Sequence, residues 1–298
     1  MGDIWHDVSW VVPYRNEGLT TIFEAFTWLG YPAFVMLFLP LGYWLWNKNK
    51  FTRLTAVVIL ATLLNAFLKD YWQNPRPDAV FRLDPGVGDS YGMPSGHAQI
   101  SAVLWFGLAY EIKRSWAWIV AGVIVSGIAF SRVYLGIHDL EDIVVGLALA
   151  LACLLTYRLF LSESFIGFGS WPLWTHLLII SIGFAILIYS WPTAGHSYDA
   201  ISLVGFLGAW LVGANLDKRY IKFEPRDGWK FIPIAAVVGL LGLIAVLVIT
   251  KPVFNLIDPA YTKYLRTILL GIYMTAGAPL LFKLLKLHRP SKSSVWRT

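Results

Sequence analysis

Charge is scarce in this chain and cysteine all but absent. Only 14% of its 298 residues are Asp, Glu, Lys or Arg, where a soluble domain has about 25%. That shortage argues against an ordinary water-soluble domain. A single cysteine, Cys153, allows neither a disulfide framework nor a cysteine-based metal site. No basic run is interleaved with aromatics, so the net charge of +6 does not suggest a nucleic-acid partner. The first residues hold Asp3 and Asp7 and lack a basic segment leading into a short apolar core, so no cleavable signal is expected. Internal repeats and low-complexity segments are lacking too.

What the chain has in quantity is apolar surface. It is 57% hydrophobic with a mean hydropathy of +0.60, and apolar stretches of about 17–22 residues recur along it, the length that spans a bilayer. The expected fold is all-α, a polytopic transmembrane helical bundle. Nine spans are predicted, roughly at 25–46, 53–70, 97–112, 116–132, 140–160, 172–191, 200–216, 231–250 and 264–286. Residues 1–20, polar and aromatic, are expected to lie at the interface. Trp44, Trp46, Trp116, Trp118, Trp171, Trp174 and Trp191 fall near span ends, where tryptophan anchors helices.

Basic residues orient the bundle. Sixteen Lys and Arg fall on one set of connections and the C-terminal tail, among them Lys48, Lys50, Arg53, Lys113, Arg114, Arg158, Lys218 and Arg219, and on the tail Arg289, Lys292 and Arg297. Eight fall on the other set: Arg15, Lys69, Arg76, Arg82, Arg132, Lys251, Lys263 and Arg266. The richer side is expected to be cytoplasmic. The N-terminus is then outside and the C-terminus inside, as an odd number of spans requires. Connections 70–97, 132–140, 191–200 and 250–264 would face the periplasm of a bacterial inner membrane, or an organelle lumen.

Two of those outward connections hold most of the unusual residues. Tyr91-Gly92-Met93-Pro94-Ser95-Gly96-His97 opens into an apolar run, with the residue types that start helices. A helix start leaves N–H groups free at the positive end of the dipole, which suits an anion. There Gly96 permits close approach, Ser95 adds a hydroxyl and His97 can carry a proton. An ordinary cap with an incidental histidine is the plainer alternative. Upstream lie Lys69, Arg76 and Pro77; downstream lie Ser131, Arg132, His138, Asp139, Glu141 and Asp142. Cations beside a span are costly unless paired or solvated. Lys69, Arg76 and Arg132 can share one phosphate, the arginines as forks and the lysine as a point charge.

His138 and Asp142 stand four apart at an expected helix start, which places them on one face. A carboxylate on one ring nitrogen fixes the tautomer and frees the other nitrogen as a nucleophile, and it stabilises the charge that grows as the ring attacks phosphorus. His97 can protonate the leaving oxygen. Singly, each residue has a plainer reading: a surface His–Asp pair, a snorkelling lysine, a headgroup-binding arginine. His97, His138, Asp139, Glu141 and Asp142 are also possible metal ligands, but three nearby cations would repel a divalent ion. No metal and no cofactor is expected.

These three segments resemble the signature of the type 2 phosphatidic acid phosphatase superfamily: Lys-x6-Arg-Pro, Pro-Ser-Gly-His and Ser-Arg-x5-His-x3-Asp. They match at Lys69/Arg76/Pro77, at Pro94–His97 and at Ser131/Arg132/His138/Asp142, in order and without substitution. The resemblance covers residues 69–142, within a six-helix family core. It implies metal-independent hydrolysis of a phosphate ester through a phosphohistidine, with His138 as nucleophile, Asp142 as its partner and His97 as acid. It further implies that Lys69, Arg76, Ser95, Gly96, Ser131 and Arg132 hold the phosphate. Residues 1–195 would form the catalytic core and 196–298 three further helices. The nine-span plan and the wording Tyr-Gly-Met-Pro-Ser are most similar to sphingosine-1-phosphate phosphatases, which typically carry Thr where Gly96 stands. The expected partner is a lipid phosphate, its tail in the bilayer. A soluble phosphate monoester, as in the glucose-6-phosphatase branch, and a lipid-phosphate carrier without turnover are the alternatives.

Overall fold

The computed structural model describes residues 3–84, 90–161, 171–192, 197–226, 230–254 and 256–288. Among them every regular element is helical, and Pro225 and His288 form an isolated bridge. The helices are α1 (Glu17–Trp28), α2 (Pro32–Leu45), α3 (Lys48–Trp72), α4 (Gly96–Ile112), α5 (Ser115–Tyr134), α6 (Leu140–Thr156), α7 (Leu173–Tyr189), α8 (Ser197–Leu216), α9 (Phe231–Phe254), α10 (Pro259–Ile272) and α11 (Ala278–Leu284). One-turn π segments extend α6 and α8 and join α10 to α11. Six helical stretches are long and apolar enough to cross a bilayer, in α3, α5, α6, α8, α9 and α10–α11, and the pair α1–α2 makes a seventh if counted as one. Helices α4 and α7 have 17 residues each. Arg289, Lys292 and Arg297 lie outside the described residues, as do parts of connections 70–97 and 191–200.

The first predicted span is not continuous. Leu29-Gly30-Tyr31 breaks it, and α1 and α2 meet at 51°. Asn16 caps α1 by accepting from Leu19 N–H at 2.9 Å, and Pro32 opens α2, where its missing N–H costs nothing. The chain divides into two compact units. One comprises 1–37, 53–170 and 185–200; the other comprises 38–52, 171–184 and 201–298.

In the first unit α4 packs on α5 and α6, and α1 packs on α5. Lipid tails are as apolar as leucine, so small residues that let helices approach closely matter here more than greasy surface does. Ala109, Ala117 and Ala121 form the α4–α5 seam. On α5, a Cβ at Gly127 would stand 2.4 Å from the Phe26 ring of α1. Lys113, at φ 58°, ends α4, and Arg114 starts the next turn, so α4 and α5 form a tight hairpin. The 3-10 turn Ser9–Tyr14 inserts Val8 and Val11 among Ala98, Ala129, Val133 and Ile143. The expected interfacial segment is thus partly core.

In the second unit α9 packs on α10 and α11. Trp44 is a correction to the anchoring scheme. It is 1% exposed and its indole donates to Met274 O at 2.6 Å, because its position on α2 faces Phe282 edge-on rather than lipid. Trp46, Trp116, Trp118, Trp171 and Trp174 are exposed. Asp217, fully buried, accepts from Lys48 Nζ at 2.9 Å, Tyr43 Oη at 3.2 Å and Phe223 N–H at 2.9 Å. Every acceptor direction of a buried carboxylate needs such a partner, or its charge is costly.

Candidate active site

The three segments singled out in the sequence converge in the first unit. Lys69 stands in the last turn of α3, and Arg76 on the following extended stretch. Ser95 is the N-cap of α4, Arg132 lies in the last turn of α5, and Asp142 is in the first turn of α6. His138 differs slightly from expectation. It precedes the α6 N-cap, Asp139, and so is not itself helical. Asp139 accepts from Asp142 N–H at 2.9 Å, and this cap folds Asp142 back onto His138. His138 Nδ1 and Asp142 Oδ2 are 2.7 Å apart, with both residues at least 98% buried.

The other ring nitrogen defines the tautomer. Arg76 Nη1 donates to His138 Nε2 at 3.1 Å. Arginine has no acceptor, so Nε2 carries the lone pair and Nδ1–H donates to Asp142. Burial holds the His138 pKa well below the usual histidine range, and the positive charges of Lys69, Arg76 and Arg132 push it the same way. The ring is therefore neutral at neutral pH. Burial, and then Arg132, lower the Arg76 pKa to about 10, so it stays charged.

The cations are held by oxygen acceptors. Arg76 donates from Nε to Ser90 O at 2.7 Å, from Nη2 to Ser90 Oγ at 2.9 Å and from Nη1 to Ile137 O at 3.2 Å. Lys69 Nζ donates to the carbonyls of Tyr91 and, at 2.8 Å, Gly92. Arg132 Nη1 donates to Thr27 Oγ1 at 3.0 Å and meets Asp84 Oδ2 at 3.4 Å. The Tyr31 hydroxyl donates to the same Asp84 oxygen at 2.6 Å, and its ring meets the His97 ring edge-on at 5.0 Å.

Glycines fix the approach of these segments. Gly136 has φ +70°, a left-handed conformation that side chains resist. A Cβ there would lie 2.1 Å from Phe81 O, so the loop before His138 lies flush on the 79–83 stretch. Leu83 N–H donates to Leu135 O at 2.9 Å and reinforces this. At Gly96 a Cβ would stand 3.1 Å from Asn65 Oδ1. Its glycine is thus accounted for by packing of α4 on α3, where Asn65 Nδ2 donates to Pro94 O at 3.1 Å and Gln99 Oε1 at 2.9 Å.

Several buried polar atoms have no partner among the described residues, and four of them belong to this cluster: Ser95 Oγ, His97 Nε2, Arg132 Nε and Asp142 Oδ1. Buried polar groups are nearly always satisfied. Two of these atoms, on Ser95 and Arg132, are donors suited to an anion, and a third, on His97, can carry a proton. No group of three or more His, Cys, Asp or Glu among the described residues has a metal-holding arrangement. Thr27, Tyr31, Asp84 and Ser90 were not foreseen. Their residue types carry no spacing signal: the packing of α1 on α5 brings Thr27 to Arg132, and Tyr31 stands at the break between α1 and α2, against His97.

Residues 50–166 match the family model of the PAP2 superfamily, and residues 201–291 match that of the PAP2 superfamily phosphatase, transmembrane extension. Bacillus subtilis phosphatidylglycerophosphatase B is 30% identical over 154 residues, covering 47% of this chain and 71% of that protein. This chain belongs to the PAP2 superfamily. Mouse sphingosine-1-phosphate phosphatase 1 is 27% identical over 157 residues, 49% of this chain. The match spans only 36% of that relative's length. Arabidopsis thaliana lipid phosphate phosphatase delta is 25% identical over 265 residues, covering 79% of this chain and 62% of that one. A crystal structure of a PAP2-type phosphatidylglycerolphosphate phosphatase from Bacillus subtilis matches with a TM-score of 0.44 at 26% identity, covering 51% of this chain and 80% of that one. The PAP2 match contains Lys69, Arg76, Ser95, Gly96, His97, Ser131, Arg132, His138 and Asp142; Thr27 and Tyr31 precede it.

Proposed function

We propose that this PAP2 chain is an integral membrane phosphatase that hydrolyses the phosphate monoester, or pyrophosphate, of a membrane lipid. The observation that carries this reading is the 2.7 Å His138–Asp142 pair, with the free ring nitrogen turned to Arg76. Binding alone needs no oriented, neutral imidazole. In the proposed reaction Arg76 swings from Nε2 to a phosphate oxygen. His138 Nε2 attacks phosphorus, the ester P–O bond breaks, and His97 gives its proton to the leaving oxygen. Water then attacks the phosphohistidine, His97 takes a proton from it, and inorganic phosphate leaves with Nε2 restored. Lys69, Arg76, Arg132 and the Ser95 hydroxyl stabilise the equatorial oxygens. Gly96 completes the phosphate-binding set, and Ser131 contributes to it through Arg132. Three cations supply the charge that a metal would, so hydrolysis is metal-independent.

In the same reading α4 and α7 also cross, giving nine spans with the N-terminus outside, the C-terminus cytoplasmic and the site on the periplasmic or lumenal face. Residues 1–195 are the catalytic core and 196–298 an added three-helix region. The test is phosphate release by detergent-purified protein from long-chain lipid phosphates, a lipid pyrophosphate and glucose 6-phosphate, with excess chelator throughout. Higher kcat/KM on the lipids is expected, since tail burial contributes about 0.8 kcal/mol per methylene. Preference for the sugar would overturn the lipid assignment, no turnover would overturn the enzyme, and activity restored only by a divalent metal would overturn metal independence.

A further inference from the structure

The Ser131 hydroxyl is fully committed. It donates to Ile128 O at 2.6 Å, and its oxygen lies 2.7 Å from Thr27 Oγ1. A hydroxyl has one hydrogen. Because that of Ser131 goes to Ile128, the Thr27 hydrogen goes to Ser131 Oγ. The Thr27 lone pairs are then turned outward, and one accepts from Arg132 Nη1 at 3.0 Å. The three side chains are buried, at 3%, 0% and 2% exposure. Each proton in the relay has one direction available to it, so the relay and the Asp84 oxygen 3.4 Å away together set how Nη1 is held. Arg132 Nε is left buried and without a partner among the described residues.

We propose that Thr27 is a positioning residue of the anion site. Through this relay it holds Arg132 by Nη1, which Asp84 Oδ2 also meets at 3.4 Å, and leaves Nε for the phosphate. Ser131 acts as the second link of the relay more than as a phosphate donor. The threonine comes from α1, outside the 50–166 family match, so the site is completed by a helix that the phosphatase motifs do not include. The inference deepens the phosphatase reading and rests on it.

The experiment compares wild type with Thr27→Val, which keeps shape and loses the hydroxyl, and with Thr27→Ser, which restores it. Inhibition by inorganic phosphate and the separate kcat and KM for a lipid phosphate are measured. A hydrogen bond to a buried charged group is worth about 1.5–3 kcal/mol, so Thr27→Val should weaken phosphate inhibition by about tenfold to a hundredfold. KM should rise with it, and Thr27→Ser should recover most of the loss. Equal phosphate inhibition in wild type and Thr27→Val overturns the inference. So does a Thr27→Val variant that loses kcat alone, because a merely structural lesion leaves ground-state phosphate binding intact. If Thr27→Val does not fold, Thr27→Ala and Ser131→Ala decide: each must weaken phosphate inhibition, and failure of either to do so overturns the relay. Wild type that releases no phosphate from any lipid defeats the phosphatase reading itself, a result distinct from all of these.

Discussion

His138 and Asp142 carry the sharpest expectations. His138→Ala should remove almost all turnover, because in the proposed reaction its nitrogen is the attacking atom. Asp142→Asn should keep phosphate binding but lose about 10²–10⁴-fold in kcat, the range for disrupting a carboxylate–histidine pair. Both are read by steady-state kinetics beside an acid-quench trap for labelled phosphoenzyme. Label retained in His138→Ala but lost in His97→Ala would reverse the two roles. The pH dependence follows from the depressed pKa of His138. A lowered pKa keeps the ring neutral further into acid, so activity that needs neutral His138 should persist below the ordinary histidine pKa of about 6.5. An acid limb of kcat/KM centred above that value would contradict it. At this scale the sequence was informative, since polar residues with plain readings one by one gather in two connections, and the structure brings His138 to Asp142 and to Arg76. It said nothing of Thr27 or Asp84, because one buried threonine or one loop aspartate is chemically ordinary until a distant arginine is placed beside it.

At the scale of elements, the site depends on how helix ends meet. Gly136→Ala tests this. An alanine at φ +70° costs about 1–2 kcal/mol, and its Cβ would meet Phe81 O at 2.1 Å, a backbone atom that cannot swing aside. The variant should lower both the melting temperature in detergent and the activity, as the His138 loop lifts from the 79–83 stretch. Unchanged kcat would show that this packing does not position His138. Gly30 gives a parallel case, because a Cβ there would lie 2.8 Å from His97 Cδ2. Gly30→Val should displace His97 and lower kcat most for poor leaving groups, which depend on protonation; equal losses on lipid phosphate and nitrophenyl phosphate would point elsewhere. Helix positions were legible from apolar runs, and α3–α6 lie close to where those runs put them. The break at Leu29–Tyr31 was not legible, since hydropathy averages over a bend. Nor was the burial of Trp44, because tryptophan at a span end looks alike whether lipid or a neighbouring helix covers it.

For the whole molecule the number of crossings turns on the bent pair α1–α2, which makes one span if counted together, and on the two short helices α4 and α7. Both have 17 residues, at the short end of what a bilayer requires. Exposed positions bracket each one: Val80 and Trp116 for α4, Trp174 and Tyr189 for α7, with 76%, 59%, 66% and 94% exposure. Single cysteines at these four sites, in a Cys153→Ser background, report sidedness through a membrane-impermeant maleimide. With nine spans and an outer N-terminus, Val80→Cys and Tyr189→Cys react from outside, while Trp116→Cys and Trp174→Cys react only after permeabilisation. The pairs matter more than any one site. If the two positions bracketing a helix react from the same side, that helix does not cross. If both pairs split but in the opposite sense, α4 and α7 both cross and the orientation is inverted. In that case the His138 site opens to the cytoplasm, and the sixteen-to-eight division of basic residues fails as a guide for this chain.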